Sequence, residues 1–237
     1  MLTLNCISTG SGGNCYILNN NYRQLIIDLG VKYRTLLLSL EDVRNVNGAI
    51  VSHEHKDHDF MNGKIPTSQI IKSFTNIISP KNSKPETVYQ LGNFKIIPVE
   101  HKHNVKCYGY LIKVDNEVIY YATDMQYPIK FDNLKIDHFI IECNYIDSLR
   151  DKSLTKADSN SIHLKGIANN HCSLETLINY FSKLDYKPKS ILTIHSSNSN
   201  LFSREIVENE LGKFTDNIQV VFNGKKYILK GGNNESI

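Results

Sequence analysis

The stretch HEHKDHD, at positions 53–59, places three histidines and two aspartates within seven residues. Such groups are costly to bury, so their density needs a chemical reason. If the strand IVS ends just before them and the chain then turns, four side chains converge from one loop: His53, His55, Asp57 and His58. Zinc and similar metals accept imidazole nitrogen and carboxylate oxygen together. The alternative interpretation is a solvated polar loop.

Short strands that end in polar loops make up most of the chain. The predicted strands are LTLNCIS, NCYILNN, RQLIIDLG, GAIVSH, FKIIPVEH, YGYLIKV, EVIYYATD, HFIIECNY, SILTIHSS, IQVVFNG and KKYILKG. Helical spacing appears at 33–40, 174–184 and 204–211, and Ser173 is placed to cap the second of these helices. Asn-Gly at 223–224 predicts a tight turn that closes a terminal hairpin.

Acidic and histidine residues collect at the ends of these strands. They are Asp28, His53, His103, Asp124, Glu142 and His195. A sheet whose strands end in such groups builds a site along one edge, on loops that a rigid scaffold holds. The polar, weakly patterned stretch at about 145–170 is instead typical of a lid, a binding arm or a disordered segment.

Length and composition favour one globular domain over 1–237, with 41% hydrophobic residues and a net charge of +3. The five cysteines are scattered and form no CxxC pair, which argues against a disulfide framework and a thiolate zinc site. The chain has no recognisable signal peptide and no apolar stretch long enough to span a membrane. We therefore expect a cytoplasmic protein.

HEHKDH fits HxHxDH and thus resembles the signature of the metallo-β-lactamase-fold hydrolases. LIIDLG, HNVKCYGYLI, YYATD and LTIHSS resemble that family's other motifs, in the family's order. The resemblance implies an α/β fold, an αββα sandwich with two mixed sheets flanked by helices. It also implies two divalent metal ions, zinc or manganese, that share an attacking hydroxide.

Seven metal ligands follow from the resemblance. One metal would be held by His53, His55 and His103, the other by Asp57, His58 and His195, with Asp124 between them. Asp57 is also a catalytic candidate, and Asp28 would orient the site from behind the ligands. His101 competes with His103, but the Gly-Tyr that follows favours His103; His101 is then supporting or on the surface. His138 is interpreted as a strand-end histidine.

IIECNY and NNHCSLETL resemble stretches of ribonuclease Z and its relatives. The resemblance implies that His171 donates a proton to the leaving group and that Glu142 orients the imidazole. The alternative is that both residues are structural. STGSGGNCYIL resembles the GSxGN-type opening of a bacterial and phage branch that includes nucleases, where the glycines would let backbone amides approach the site; a plain flexible turn is the alternative.

Several spacings depart from the family pattern. Twenty residues separate His103 from Asp124, which leaves no room for the long arm of ribonuclease Z. The 71 positions from Asp124 to His195 are too few for an inserted nucleic-acid-clamping domain of about 100 residues. Processing of tRNA ends is therefore disfavoured. The stretch at 60–73 is also poorer in helical pattern than the family norm.

These features predict a metal-dependent phosphodiesterase that acts on nucleic acid or a cyclic nucleotide. Four basic residues of the 145–170 stretch could meet phosphates or lie free in solvent: Arg150, Lys152, Lys156 and Lys165. The same stretch could form a homodimer contact. A lactone, carboxylic ester or thioester hydrolase is the second hypothesis. A catalytically inactive binding protein is the third, against which the intact ligand set argues.

Overall fold

A computed structural model describes residues 1–21, 23–60, 76–154, 161–197 and 200–230. Its strands are β1 (Leu2–Ser8), β2 (Cys15–Asn20), β3 (Arg23–Ile27), β4 (Val46–Ile50), β5 (Ile77–Ile78), β6 (Tyr89–Leu91), β7 (Phe94–His101), β8 (Cys107–Val114), β9 (Glu117–Ala122), β10 (His138–Glu142), β11 (Ser190–Ile194), β12 (Ile218–Val220) and β13 (Lys225–Lys230). Its α-helices are α1 (Tyr33–Ser39), α2 (Asp147–Leu154), α3 (Ser161–Asn170), α4 (Leu174–Phe181) and α5 (Arg204–Leu211). None of the helices within these ranges is long and apolar enough to cross a membrane.

The strands form two mixed sheets. The first has the order β13-β1-β2-β3-β4-β5 and the second the order β12-β11-β10-β9-β8-β7-β6. In the first sheet β3, β4 and β5 run parallel, and in the second β9, β10, β11 and β12 do. The remaining neighbours are antiparallel. Two mixed sheets flanked by helices are the αββα sandwich that was predicted.

Successive side chains of a buried strand point to opposite faces of its sheet, and this alternation builds the layers of the fold. On β10, Ile140 packs between the two sheets, whereas Phe139 and Ile141 pack against the helices on the outer face. Burying side chains of this size stabilises a fold by about 1.5–3 kcal/mol each. Helix α4 presents Leu177 and Phe181 to that outer face, and the hydroxyl of Ser173 caps it by accepting from the Thr176 amide. Helix α1 covers the first sheet in the same way.

The predicted terminal hairpin is wrong. The Asn-Gly turn is present, with Gly224 at φ 70°, but β12 joins the second sheet and β13 pairs with β1 in the first. The turn carries the chain from one sheet to the other because Tyr227 and Leu229 of β13 bury themselves between the sheets. Strands β5 and β6 were not predicted.

The weakly patterned stretch at 145–170 is largely helical, because α2 and α3 occupy most of it. Helix α2 lacks an apolar stripe and is supported by an ion pair between Asp147 and Arg150, at 2.8 Å. Ile167 and Ala168 of α3 pack on a small cluster around Tyr145. The sequence prediction for 60–73 lies, from residue 61 onward, outside the described residues.

Candidate metal centre and proton donor

The candidate site lies at one edge of the two sheets, where several strands end. Asp28 follows β3, Asp124 lies two residues after β9, and His195 follows β11. All three have a left-handed backbone, with φ of 58°, 47° and 54°. Aspartate and histidine adopt this region more readily than most residues, and such conformations concentrate at functional sites. The chain thus turns sharply at these residues, immediately beyond its rigid strands.

The first group of possible ligands consists of His53, His55 and His103, each of which offers a nitrogen within 4.8 Å of the others. Burial lowers the pKa of His53 to about 2, with smaller effects from neighbouring charges, so its imidazole is neutral. Both ring nitrogens of His103 are buried without a hydrogen-bond partner. Neutral imidazoles with an unused nitrogen are what a divalent cation requires.

The second group consists of Asp57, His58 and His195, with Asp124 beside it. Nε2 of His58 lies 2.8 Å from Oδ2 of Asp124 and 3.5 Å from Oδ2 of Asp57. Nε2 of His195 is buried without a hydrogen-bond partner. Asp124 also falls in a group with His53 and His58, so its carboxylate faces both sets of ligands. This position suits a carboxylate between two cations.

Asp28, which was predicted to orient the site, contacts the candidate ligand His58. Its Oδ2 lies 2.7 Å from Nδ1 of His58, and it also accepts from the Ser52 amide, the Ser52 hydroxyl and the Tyr121 hydroxyl. Because a carboxylate next to Nδ1 favours the proton there, the lone pair of Nε2 is left for a metal. Neither Ser52 nor Tyr121 was predicted to act at the site, since no sequence signal separates them from core residues.

The amino-terminal turn at residues 10–14 packs against the loop that carries the candidate ligands. The amide of Asn14 donates to the carbonyl of Asp57 at 2.6 Å, and its side-chain nitrogen lies 2.9 Å from Nε2 of His58. Gly30 passes so close that a Cβ there would lie 1.7 Å from the Asp57 carbonyl oxygen. The expected approach of backbone amides therefore occurs at the ligand loop. The Gly-Gly-Asn sequence was the available signal for Asn14.

Glu142 joins the second ligand group to His171. Its Oε1 lies 2.6 Å from Nδ1 of His171 and 2.9 Å from Nδ1 of His195. Its Oε2 accepts from the amides of Met125 and Cys172. The rings of His171 and His195 are stacked with centroids 5.3 Å apart. One fully buried carboxylate therefore orients two imidazoles, and both have Nε2 free of it.

Charge in this part of the site sets the protonation of the histidines. Burial alone would lower the pKa of His171, but the attraction of Glu142, its hydrogen bond and the charge of Asp124 outweigh burial and raise it. For His195, the carboxylates of Asp124, Asp57 and Glu142 likewise outweigh burial and raise the pKa to about 10. A cation bound at Nε2 of His195 would replace that proton. The three carboxylates would stabilise the cation as they stabilise the proton.

Two histidines whose side chains the structure describes, His101 and His138, lie outside these groups. His101 is buried, as a supporting residue would be, and its Nε2 lies 2.7 Å from the hydroxyl of Tyr120. The alternative prediction, that His101 lies on the surface, is therefore wrong. His138 lies at the other end of β10 from Glu142 and contacts Glu117 and Ser190.

The basic residues of the 145–170 stretch differ in their surroundings. The guanidinium of Arg150 pairs with Asp147 and Asp151, each at 2.8 Å, and lies over the ring of Tyr145. Its charge is therefore already balanced within the chain. Lys156 and the side chain of Lys165 lie outside the described residues.

The donor set as a whole fits divalent metal ions. It combines imidazole nitrogens and carboxylate oxygens, and the unpartnered nitrogens of His103 and His195 point to ligands that the protein itself does not supply. Such a set suits zinc and also manganese. All five cysteines are free and buried, and none belongs to these groups among the described residues.

No family model and no curated protein matches the sequence. Solved structures do match the fold. A metallo-β-lactamase-fold protein, YhfI from Bacillus subtilis, is 16% identical, with a TM-score of 0.66 over 95% of this chain and 98% of that one. Zinc-bound PqqB from Methylobacterium extorquens is 10% identical, with a TM-score of 0.63 over 95% and 99%. The short form of human tRNase Z is 11% identical, with a TM-score of 0.61 over 97% and 100%.

Proposed function

We propose that this chain, which has the metallo-β-lactamase fold, is a dinuclear metal-dependent phosphodiesterase that acts on nucleic acid or a cyclic nucleotide. The observation that carries the proposal is the position of Glu142, whose Oε1 contacts both a candidate metal ligand, His195, and a candidate proton donor, His171. A proton donor coupled to the metal ligands suits a reaction whose leaving group needs a proton.

The metal ligands in this proposal are the two groups described above. His53, His55 and His103 would hold one ion, Asp57, His58 and His195 the second, and Asp124 would lie between them. When bound, two divalent ions would polarise a phosphoryl oxygen and lower the pKa of a water molecule. Zinc is our first choice and manganese the second.

His171 would serve the leaving group. Glu142 holds its Nδ1, so that Nε2 remains to carry a proton, and its side chain is 20% exposed and can meet a substrate. An alkoxide leaves poorly from phosphorus unless it is protonated, and a positioned general acid typically contributes about 10²–10⁴-fold to the rate. A lactone or thioester has a better leaving group and needs this donor less.

The test uses protein stripped of metal and reloaded with zinc or manganese. Wild type, His171→Ala and Asp57→Ala would be compared on a labelled oligonucleotide, on cyclic mononucleotides and on bis(p-nitrophenyl) phosphate. We expect His171→Ala to lose about 100-fold or more on the unactivated diesters but far less on the nitrophenyl substrate, whose leaving group needs no proton. Asp57→Ala should lose activity on all of them.

Asn169→Ala is the matched control, since Asn169 is exposed on the same helix end as His171. It should behave as wild type. If no diester is cleaved with either metal while a lactone or thioester is hydrolysed, the phosphodiesterase proposal is wrong and Glu142 and His171 are structural. If neither class of substrate reacts, the result supports the hypothesis of a catalytically inactive binding protein.

We also propose that α2 and α3 form a lid or a dimer contact beside the site. Helix α3 ends at Asn170, directly before His171, so movement of this segment would act on the proton donor.

A further inference from the structure

A cavity of about 190 Å³ adjoins the candidate metal centre and has no part in the chemistry described above. The residues that line it include Val51, His53, Ser79, Pro80 and Lys106. Its wall is mainly apolar, and it is smaller than the roughly 300–1,000 Å³ typical of sites for drug-sized ligands. It would therefore take a single ring system and not a whole oligonucleotide.

The cavity meets the metal centre at His53, a member of the first ligand group. His53 belongs to the ligand group with His55 and His103, whereas His171 belongs to the group with Asp124, Glu142 and His195. A phosphodiester carries two substituents. If the leaving one lies beside His171, the retained one must extend elsewhere, and the cavity at His53 is available to it.

Two lysines, Lys81 and Lys106, and two carboxylates, Glu54 and Asp59, are among the residues that line the cavity. Nζ of Lys106 donates to the carbonyl of Pro80 at 3.2 Å and lies 5.1 Å from the ring centroid of Tyr108. Both of these contacts are with neutral groups, and the charge of Glu100 also acts on the exposed ammonium. Lys81 also lines the cavity, but its Nζ lies 3.6 Å from a carboxylate oxygen of Glu54, which balances it.

We propose that this cavity binds the nucleoside on the retained side of the scissile diester, and that Lys106 pairs with the next phosphate along the strand. The inference rests on the proposed function. An apolar slot suits the faces of a base, and a cation at its rim suits the phosphate that follows a nucleoside in nucleic acid. An alkyl or acyl group would fill the cavity but would give Lys106 no anionic partner. The substrate is then nucleic acid.

The test compares two diesters with the same leaving group. Thymidine 5′-(4-nitrophenyl phosphate) and methyl 4-nitrophenyl phosphate differ only in the retained substituent. We expect kcat/KM to be at least about tenfold higher for the thymidine ester, equivalent to about 1.4 kcal/mol. Ser79→Phe, which fills the cavity, should reduce this ratio below about threefold. A ratio near one in wild type, or an unchanged ratio in a folded Ser79→Phe protein, overturns the proposal.

Lys106 is tested with the thymidine ester that also carries a 3′-phosphate. In wild type we expect the 3′-phosphate to raise kcat/KM about three- to tenfold over the 3′-hydroxyl. Lys106→Gln should abolish this increase. Lys95→Gln is the control, since Lys95 is exposed on β7 and is not among the residues lining the cavity. Equal loss in both variants would show a general charge effect and contradict the assignment to Lys106.

Binding without catalysis separates this inference from the proposed function. Thymidine can be titrated into metal-free protein and followed by NMR. If wild type cleaves no diester but thymidine shifts resonances around Ser79, and Ser79→Phe abolishes the shifts, the nucleoside site stands and the catalytic proposal fails. If diesters are cleaved but thymidine does not bind at millimolar concentration, the nucleoside site is wrong and the catalytic proposal stands.

Discussion

Replacing Asp28 by asparagine isolates the effect of one carboxylate on metal binding. The backbone at Asp28 is left-handed, φ 58°, a conformation that asparagine also adopts without difficulty. The side chain keeps its shape, so the change is confined to charge and to one oxygen that becomes an NH₂ group. Wild-type Oδ1 accepts from the Ser52 amide, which must keep an oxygen partner, so the new NH₂ faces Nδ1 of His58.

The size of the effect follows from this geometry. An NH₂ group cannot accept from Nδ1–H, so His58 must shift its proton to Nε2, the atom that would bind the metal. Loss of such an orienting partner typically weakens metal binding about 10–100-fold, or about 1.4–2.7 kcal/mol. The hydroxyls of Ser52 and Tyr121 can rotate to accept from the new group, so unfolding should change less than metal affinity does.

The assay is zinc competition against a chromophoric chelator, with thermal unfolding measured in parallel. Asp115→Asn is the control, because Asp115 is also left-handed, at φ 51°, and accepts from the side chain of Asn20. It should bind zinc as wild type does. If Asp28→Asn retains wild-type zinc affinity and stoichiometry, Asp28 does not set the tautomer of His58 and the reasoning is refuted.

Three further outcomes are expected. Glu142→Gln should slow cleavage of an unactivated diester by about 10²-fold or more, while the nitrophenyl diester suffers less, as steady-state kinetics would show; equal losses would remove Glu142 from proton donation. Zinc at about 1,000 times its Kd should stabilise the metal-stripped protein by about 4 kcal/mol, seen as a rise in Tm, and no rise would contradict a folded-state metal site. Burial would raise the pKa of Glu117, but its bonds to Lys189 and Lys230 outweigh burial and lower it from 4.5 to about 2. Since the folded-state pKa is depressed, the contribution of ionised Glu117 to the free energy of unfolding is present above about pH 4.5 and is lost as the pH falls towards 2. Acid unfolding of Glu117→Gln should lack this loss of stability between pH 4.5 and 2.

The strands and the ligand loop could be predicted because their signals are local. FKIIPVEH is a short run rich in β-branched and other apolar residues, which predicts a strand, and it coincides with β7, from Phe94 to His101. The HxHxDH spacing lies within one loop, so no knowledge of the fold was needed to expect its side chains to converge. The other candidate ligands, His103, Asp124 and His195, were predicted from the family resemblance, and each lies at or shortly after the end of a strand.

What could not be predicted depends on contacts between distant residues. Asn14 reaches Asp57 across 43 positions, and its burial follows from the packing of two loops. Helix α2 has the sequence DSLRDKSL, which lacks an apolar stripe, so its helicity depends on ion pairing and on packing of Leu149. Asn-Gly correctly predicted a turn, but a turn alone does not reveal which sheet receives the next strand.

The left-handed backbone at Asp28, Asp124 and His195 affects how this protein can change over evolution. At such positions most side chains cost about 1–3 kcal/mol in backbone strain, whatever their chemistry. A lineage that lost its activity would still be selected to fold, and folding alone would favour aspartate, asparagine or glycine there. Descendants without function should therefore drift first at His53, His55 and His103, whose φ values are not left-handed. An inactive relative would be recognised by missing histidines beside surviving aspartates.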